Sequence, residues 1–182
     1  MQNASDLSCI GIETLQDMAL DARGEIDNIY LHWSAGRYGQ IYDDYHISID
    51  CDGRIYLPNN CRDLTVRRSH TWLRNSRSIA VCLCGCYDAK ANNGWNADLG
   101  TNPITSTQIE VISLVVSVLC KNLGIPISAV YTHCEIAYKD GYGPYSGDPE
   151  TRWDLWYVKD FDNVMKPGGD VIRGKARWYS QK

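Results

Sequence analysis

Hydrophobic positions along the chain recur with two periods, about 3.6 residues as in helices and 2 residues as in strands. The helical period predicts two helices in the first two thirds of the chain. Apolar residues recur at helical spacing in Glu13–Arg23, and Gly24 suits the position just past that helix. Thr105–Leu123 has a Ser/Thr entry and a long apolar stripe, with Gly124 and Pro126 as its stop. Both segments are therefore predicted to be helices.

The shorter period predicts the strands. Asn28–Trp33 is a short apolar run of the kind found in buried strands. Ser78–Cys84 is also predicted to be a strand. Successive side chains of a strand point to opposite faces, so one face would carry Ile79, Val81 and Leu83. Two alternating runs in Tyr45–Tyr56, "YHISIDCDGRIY", are joined by Asp52 and Gly53, a dipeptide that favours a tight hairpin.

Turn-forming residues mark the remaining segments. Residues 87–105 are rich in Asn, Gly and Asp, and residues 138–151 repeat Gly and Pro too often for a regular element, so both are predicted loops. Ala129–His133 is predicted to be a last short strand. Trp153–Met165 predicts a further helix, which Lys166–Gly169 would end.

The order of these elements predicts the fold class. Strands and helices are interspersed, and the hairpin requires antiparallel pairing, so we expect an α/β fold with a central mixed β-sheet flanked by helices. We expect a single domain over residues 1–182, with a core of about 26–165. Residues 166–182 would pack back on that core through Ile172 and Trp178.

Composition and charge narrow the class of protein. A hydrophobic fraction of 44% and a charged fraction of 22% are typical of a globular protein. The net charge of −4 argues against binding to nucleic acid or to an anionic membrane. The longest apolar run, Ile112–Cys120, is too short to cross a bilayer, so we expect no membrane insertion. We expect a monomer.

The cysteines and the first residues bear on the compartment. The segment "MQNASDLSC" lacks a basic n-region and an apolar h-region, so we expect no signal peptide and synthesis in the cytoplasm. The eight cysteines are then expected to be thiols. Cys82, Cys84 and Cys86 would stand about 7 Å apart on a strand, too far for one zinc, so packing explains them better.

Three polar residues form the candidate chemistry. His32 lies near the end of the first buried strand, His133 ends the segment "VYTH", and Asp148 lies in the loop "SGDPETRWDL". Two imidazoles and a carboxylate are a common ligand set for a catalytic zinc, which leaves a fourth position to water. Taken alone, however, each residue is more often structural: a lone His is usually a core residue, and an Asp before Pro is usually a turn residue.

The wider wording of the chain resembles a known family. The segments "YLHWSAG", "YHISIDCDGRIY", "RRSHTWLRNSRSIAVCLCG", "YTHCEIA" and "GDPETRWDL" occur in the order found in the zinc N-acetylmuramoyl-L-alanine amidases. This family comprises phage lysozyme-type amidases, bacterial muropeptide amidases and peptidoglycan recognition proteins. The resemblance covers Ile29–Leu155 and implies a zinc-lined groove that binds a muramyl peptide.

The resemblance also implies roles for single residues. His32, His133 and Asp148 match the three zinc ligands. Tyr45 matches the tyrosine that phage-type members carry beside the metal. Cys82 stands where cytosolic recycling members have a glutamate, so the chain resembles the phage type.

Two departures from the family pattern matter. Phage-type members have a lysine where this chain has Ser146, although active eukaryotic members have a hydroxyl there, so Ser146 is a second candidate catalytic residue. The spacing from His133 to Asp148 is longer than the family leads us to expect. The competing acidic residues are Glu135, Asp140 and Glu150, and Asp154 is interpreted as structural, orienting the last helix.

The implied chemistry is hydrolysis of an amide. Zinc would polarise the carbonyl and activate water, and the Tyr45 hydroxyl would donate a hydrogen bond to the oxyanion. Two candidates remain for the acid that protonates the leaving amine, Asp148 and the group bound to the metal.

Three further residues are expected to contact the substrate. His70 would lie near the groove and contact the substrate, or alternatively it is a surface histidine without such a role. Arg68 would meet stem-peptide carboxylates, although with Arg67 it also reads as a solvated pair. Trp72 would line the groove or pack on the sheet.

The leading hypothesis is a phage endolysin-type enzyme that cuts the amide between N-acetylmuramic acid and L-alanine. It would act on the bacterial cell wall after lysis or after delivery by another system. The alternatives are a non-catalytic module that binds peptidoglycan or muropeptides, and a cytosolic muropeptide-recycling amidase.

Overall fold

A computed structural model describes residues 2–3, 9–148 and 152–182 of the chain. These residues form four α-helices, which are α1 (Ile12–Asp21), α2 (Ser106–Leu123), α3 (His133–Asp140) and α4 (Gly168–Tyr179). They also form ten short strands, which are β1 (Gln2–Asn3), β2 (Cys9–Ile10), β3 (Asn28–Trp33), β4 (Gln40–Ile41), β5 (Ile47–Ile49), β6 (Ile55–Tyr56), β7 (Ser78–Leu83), β8 (Val130–Thr132), β9 (Tyr157–Lys159) and β10 (Met165–Pro167).

Six of the strands form a mixed central sheet in the order β2-β6-β5-β7-β3-β8. The pairs β5/β7, β7/β3 and β3/β8 are parallel, whereas β6 and β2 are antiparallel to their neighbours. Helices pack against this sheet, so the predicted α/β fold with a mixed sheet is confirmed. The Asp52–Gly53 turn lies between β5 and β6, as the hairpin signal predicted.

The direction of two strands places the histidines. Since β3 and β8 are parallel neighbours, their carboxyl ends meet at the same edge of the sheet. Leu31 pairs with Thr132, so the next residues, His32 and His133, follow at adjacent positions. His133 is the first residue of α3 and follows β8 directly, so the predicted strand ends one residue earlier than expected.

The long helix α2 is built as its sequence predicts. Thr105 and Gln108 form a capping box at its start, and Gly124 ends it in the left-handed conformation, with φ of 77°. Among the described residues, α2 is the one helix with the length and apolar content of a membrane span. Its longest apolar run, Ile112–Cys120, is shorter than a bilayer requires. Eleven of its residues are buried, so it is the central core helix.

The predicted helix over Trp153–Met165 is wrong. The chain forms a hairpin of β9 and β10 there, and α4 begins at Gly168, where a helix stop was expected. Asp160 explains the difference, because its carboxylate accepts backbone N–H bonds from Asp162 and Val164. Such local bonds offer the backbone an alternative to helical hydrogen bonds.

Two further expectations need adjustment. Residues 138–140, which were predicted to be loop, belong to α3, and Gly141 ends that helix with φ of 85°. Ile172 is fully buried as the anchor of α4, whereas Trp178 remains 47% exposed.

All eight cysteines are thiols, and Cys82, Cys84 and Cys86 are buried as packing residues.

Candidate metal centre

Three buried side chains meet at the edge of the sheet where β3 and β8 end. The Nδ1 atom of His32 lies 3.0 Å from Oδ2 of Asp154, and Nδ1 of His133 lies 3.2 Å from Oδ1 of the same carboxylate. The two imidazole centroids are 4.7 Å apart. One ligand atom from each residue lies within 4.8 Å of the others, which is the spacing of a group that could hold a metal ion.

The other edge of each imidazole is held as well. Nε2 of His32 lies 3.3 Å from the Thr71 hydroxyl, and Nε2 of His133 lies 3.5 Å from the Tyr142 hydroxyl. Contacts of this kind set the tautomer and the orientation of metal-ligating histidines. Both Nδ1 atoms face the Asp154 carboxylate, each toward one of its oxygens.

Burial and charge favour the protonation states that a metal requires. Burial lowers the pKa of His32, so its imidazole is neutral near pH 7. Burial alone would raise the pKa of Asp154, but the facing His133 and His32 hold it well below its ordinary value. A neutral imidazole and an ionised carboxylate are the forms that bind metal.

The separations also fit zinc. With bonds of about 2.0–2.1 Å and tetrahedral angles, zinc ligand atoms stand about 3.3 Å apart. The two nitrogen–oxygen separations, 3.0 and 3.2 Å, are close to this value and run to different oxygens of Asp154, while one ligand atom from each residue lies within 4.8 Å of the others. His32, His133 and Asp154 therefore form a group that could hold a zinc ion, and its ligand types are those of a three-ligand site.

The expected third ligand, Asp148, is not brought to the two histidines. Its side chain is exposed in the loop after α3, where its backbone N–H donates to the Ser146 hydroxyl. Asp154, which had been interpreted as orienting the last helix, contacts both histidines instead. The signal for its burial was local, because Asp154 stands between Trp153 and Leu155. Glu150 lies outside the described residues.

Two other acidic candidates have structural partners. Glu135 forms a two-pronged ion pair with Arg173 of α4, with separations of 2.7 and 2.8 Å. Asp140 pairs with Arg74, whose Nε donates to it at 2.9 Å. Both pairs connect segments of the fold and do not reach the group of His32.

Tyr45 lies beside the metal group. Its ring centroid is 5.2 Å from that of His32, and its hydroxyl interacts with the Cys82 thiol. Cys82 is the β7 residue paired with His32, so one step across the sheet separates them. Burial raises the pKa of Tyr45, which keeps its hydroxyl protonated and able to donate a hydrogen bond.

Two surface grooves meet at the metal group. The larger groove, of about 870 Å³, is lined by residues that include Trp72, Tyr142 and Asp148. The smaller one, of about 460 Å³, is lined by residues that include Tyr45 and Asp154. Both share Ser69, His70, His133 and Arg152. Together they form a cleft lined by His133 and Asp154, with His32 buried behind them.

The expected substrate contacts lie at different distances from this cleft. His70 lines both grooves, and Trp72, 63% exposed, stands at the wall of the larger one against Tyr142. Arg68 donates to the backbone carbonyl of Asp43 at 2.7 Å and is not among the lining residues, nor is Ser146. Tyr142 and Arg152 were not predicted: Tyr142 lies in none of the segments that resemble the family, and Arg152 lies in one of them, "GDPETRWDL", without having been singled out.

All four histidines of the chain lie in one row. The ring of His70 is 5.7 Å from His32 and 5.6 Å from His46. His46 is structural, because its Nδ1 accepts the Ala80 N–H and its Nε2 donates to the Val66 carbonyl. Burial lowers the pKa of His46 to about 4 and that of His70 to about 2.

The known proteins to which the chain is similar are amidases. Residues 17–149, well over half of the chain, match the family model described as N-acetylmuramoyl-L-alanine amidase. No curated protein sequence matched the chain. Among solved structures, the endolysin N-acetylmuramoyl-L-alanine amidase LysCS from Clostridium intestinale URNW is 16% identical, with a TM-score of 0.45, over 62% of this chain and 71% of that one. LysC from the same organism is 15% identical, with a TM-score of 0.42, over 62% and 72%.

Proposed function

Since the chain belongs to the N-acetylmuramoyl-L-alanine amidase family and is a peptidoglycan amidase, we propose that it is a zinc hydrolase of the phage endolysin type. The bond cut is the amide between N-acetylmuramic acid and L-alanine. The observation that supports zinc is the buried group of His32, His133 and Asp154, which offers two imidazoles and a carboxylate within 4.8 Å of one another. We propose that the enzyme acts as a monomer on the cell wall.

The ligand set that we propose is His32, His133 and Asp154. Asp148 stays in the scheme as a groove residue, because it lines the larger groove together with His133. Its carboxylate is our proposed acceptor and donor of the proton that passes to the leaving amine. Zinc, when bound, would polarise the scissile carbonyl and lower the pKa of water toward about 7.

The protein residues around the metal supply orientation and hydrogen bonds. We propose that Tyr45 donates to the oxyanion of the tetrahedral intermediate, since its hydroxyl is protonated and the residue lines the smaller groove. Thr71 and Tyr142 hold the imidazoles from their far edges. Ser146 accepts the N–H of Asp148, so its proposed role is to hold the loop that carries Asp148.

His70 and Trp72 are the proposed substrate contacts along the cleft. Trp72 offers an exposed ring at the wall of the larger groove, and His70 faces both grooves. Arg68 would reach a substrate only from outside the two grooves. A lytic role is favoured over cytosolic recycling, because Tyr45 is present beside His32 and position 82 is a cysteine without a carboxylate.

Digestion of purified peptidoglycan by the zinc-loaded protein tests the proposal. Mass spectrometry of the products should show stem peptides with a free L-alanine amino group and glycan strands with intact lactyl groups. A protein that binds peptidoglycan and releases no such ends would be a binding module instead. Release of free disaccharides would mean a glycosidase and would also contradict the proposal.

A further inference from the structure

A row of aromatic rings runs over the surface away from the cleft, and none of the chemistry above uses it. This aromatic strip consists of Tyr138, Tyr145, Trp156, Tyr157 and Trp95. Neighbouring centroids from Tyr145 through Trp156 and Tyr157 to Trp95 are 5.6, 5.5 and 4.4 Å apart, and Tyr138 lies 6.3 Å from Trp156.

Three rings of the strip are open to solvent. Tyr145 is 75% exposed, Trp95 is 56% exposed and Tyr138 is 47% exposed, while Trp156 and Tyr157 are half-buried beneath them. Exposed rings in contact with one another mark a binding surface more often than scattered apolar residues do. All exposed members are Tyr or Trp, which combine an apolar face with a polar edge.

The strip is held in place by the loop of residues 90–98. Lys90 and Asp98 close that loop through two backbone hydrogen bonds of 2.7 and 2.9 Å. Gly94 has φ of 81°, and a Cβ there would stand 2.7 Å from the Tyr157 ring, so only glycine lets the loop lie on the ring. Trp95 is thus presented on an ordered loop, which lowers the entropy cost of binding.

The strip and the larger groove share one segment of the chain, residues 138–148. Tyr145 stands three residues before Asp148, which lines the larger groove. Tyr138 belongs to α3, whose first residue is the proposed ligand His133 and whose end, at Asp140, lines the same groove. A polymer that leaves the larger groove along this segment would meet the strip.

We propose that the aromatic strip binds the glycan strand of peptidoglycan next to the muramyl residue whose amide is cut. The proposal rests on the proposed function, because it takes the cleft to hold that residue. A pyranose ring presents C–H groups on its face, which suit the negative face of an aromatic ring, and hydroxyls at its edge, which suit phenol hydroxyls. The strip makes the cell-wall polymer, and not a short soluble muropeptide, the preferred substrate.

Sedimentation with insoluble peptidoglycan tests this binding without any need for catalysis. All variants are made in a His32→Ala background, which removes cleavage. Trp95→Ala and Tyr145→Ala, at opposite ends of the strip, should each weaken binding about three- to tenfold. The matched control is Trp178→Ala, a tryptophan of similar exposure on α4, which should bind like the parent.

Competition identifies the bound part of the polymer. Glycan strands stripped of stem peptides should displace the parent protein, and should do so less well from the Trp95→Ala variant. If both strip variants sediment like Trp178→Ala, or if only free stem peptides compete, the proposal is wrong. Either result leaves the cleavage assay on peptidoglycan to decide the amidase function separately.

In the enzyme that retains His32, a substitution in the strip should also change the preference between polymeric and soluble substrate. The ratio of the rate on insoluble peptidoglycan to the rate on a soluble muramyl peptide should fall about three- to tenfold in Trp95→Ala. An unchanged ratio would contradict the proposal even if Trp95→Ala lowered both rates through a loss of stability.

Discussion

The floor of the cleft and the loop at its rim both carry residues expected to do chemistry, yet they differ in construction. The floor consists of His32 on β3, His133 at the start of α3 and Asp154 in the turn before β9, all buried, together with the half-buried Tyr45 before β5. The rim loop, residues 141–148, carries Ser146 and Asp148 on its exposed side. The difference teaches that burial holds the floor groups at short distances even where one of them, Asp154, lies in a turn, whereas the exposed loop only brings Asp148 to the wall of the larger groove.

The largest effect is expected from the floor histidines. His32→Ala or His133→Ala should lower the metal content from about one zinc per chain to near zero and abolish cleavage. Elemental analysis of the purified variants measures the first and peptidoglycan digestion the second. Full metal content in both variants would place the metal elsewhere.

Replacing each aspartate tests which region supplies the third ligand. Asp154→Asn should weaken zinc binding by at least about 100-fold, because it removes a carboxylate that both imidazoles face. Asp148→Asn should keep about one zinc per chain and lower the rate. Each substitution replaces a single carboxylate oxygen by an amide nitrogen, so the two variants are matched. Competition with a chelator then compares their affinities for zinc directly. The opposite order would make Asp148 the ligand and Asp154 a residue that orients the histidines.

Tyr45 tests whether the floor also supplies the oxyanion donor. Tyr45→Phe should keep the fold and the zinc but lower kcat by ~10²–10³-fold, or about 3–4 kcal/mol of barrier. Tyr131→Phe is the control, since Tyr131 lies on β8 and is not among the residues that line the grooves. Normal turnover in Tyr45→Phe would remove the hydroxyl from the mechanism and reopen the role of Cys82.

Ser146→Ala gives the corresponding measurement for the rim loop. Its hydroxyl accepts one backbone hydrogen bond, so its loss should lower kcat at most about tenfold. A loss larger than that of Tyr45→Phe would make the rim hydroxyl the main catalytic donor.

The smallest effect is expected in the stability of the metal-free protein. Burial holds the pKa of folded His46 at about 4 and that of His70 at about 2, below about 6.5 in the unfolded chain. The unfolded state therefore binds more protons as the pH falls below about 6.5, and the folded state loses stability from there toward pH 4. Tm should be lower at pH 4.5 than at pH 7, and a flat profile would contradict the burial of these rings.

The sequence by itself determined much of the fold and half of the site. The alternating runs gave the correct positions of β3, β7 and the β5–β6 hairpin, because period-two patterns and an Asp-Gly turn act locally. The Thr105 entry and the Gly124 stop located α2 for the same reason. His32 and His133 were singled out because they lie at the ends of such elements, and Tyr45 because of the resemblance to the amidase family.

Only the tertiary structure decided which carboxylate faces the histidines. The choice between Asp148 and Asp154 depends on the path of the chain after α3, and no local pattern specifies that path. The β9–β10 hairpin differs, because its turn is stabilised locally by the N–H groups of Asp162 and Val164, which donate to the Asp160 carboxylate, although the apolar pattern predicted a helix. The aromatic strip joins rings from residues 95 to 157, and contacts so distant in sequence form only when the whole chain packs.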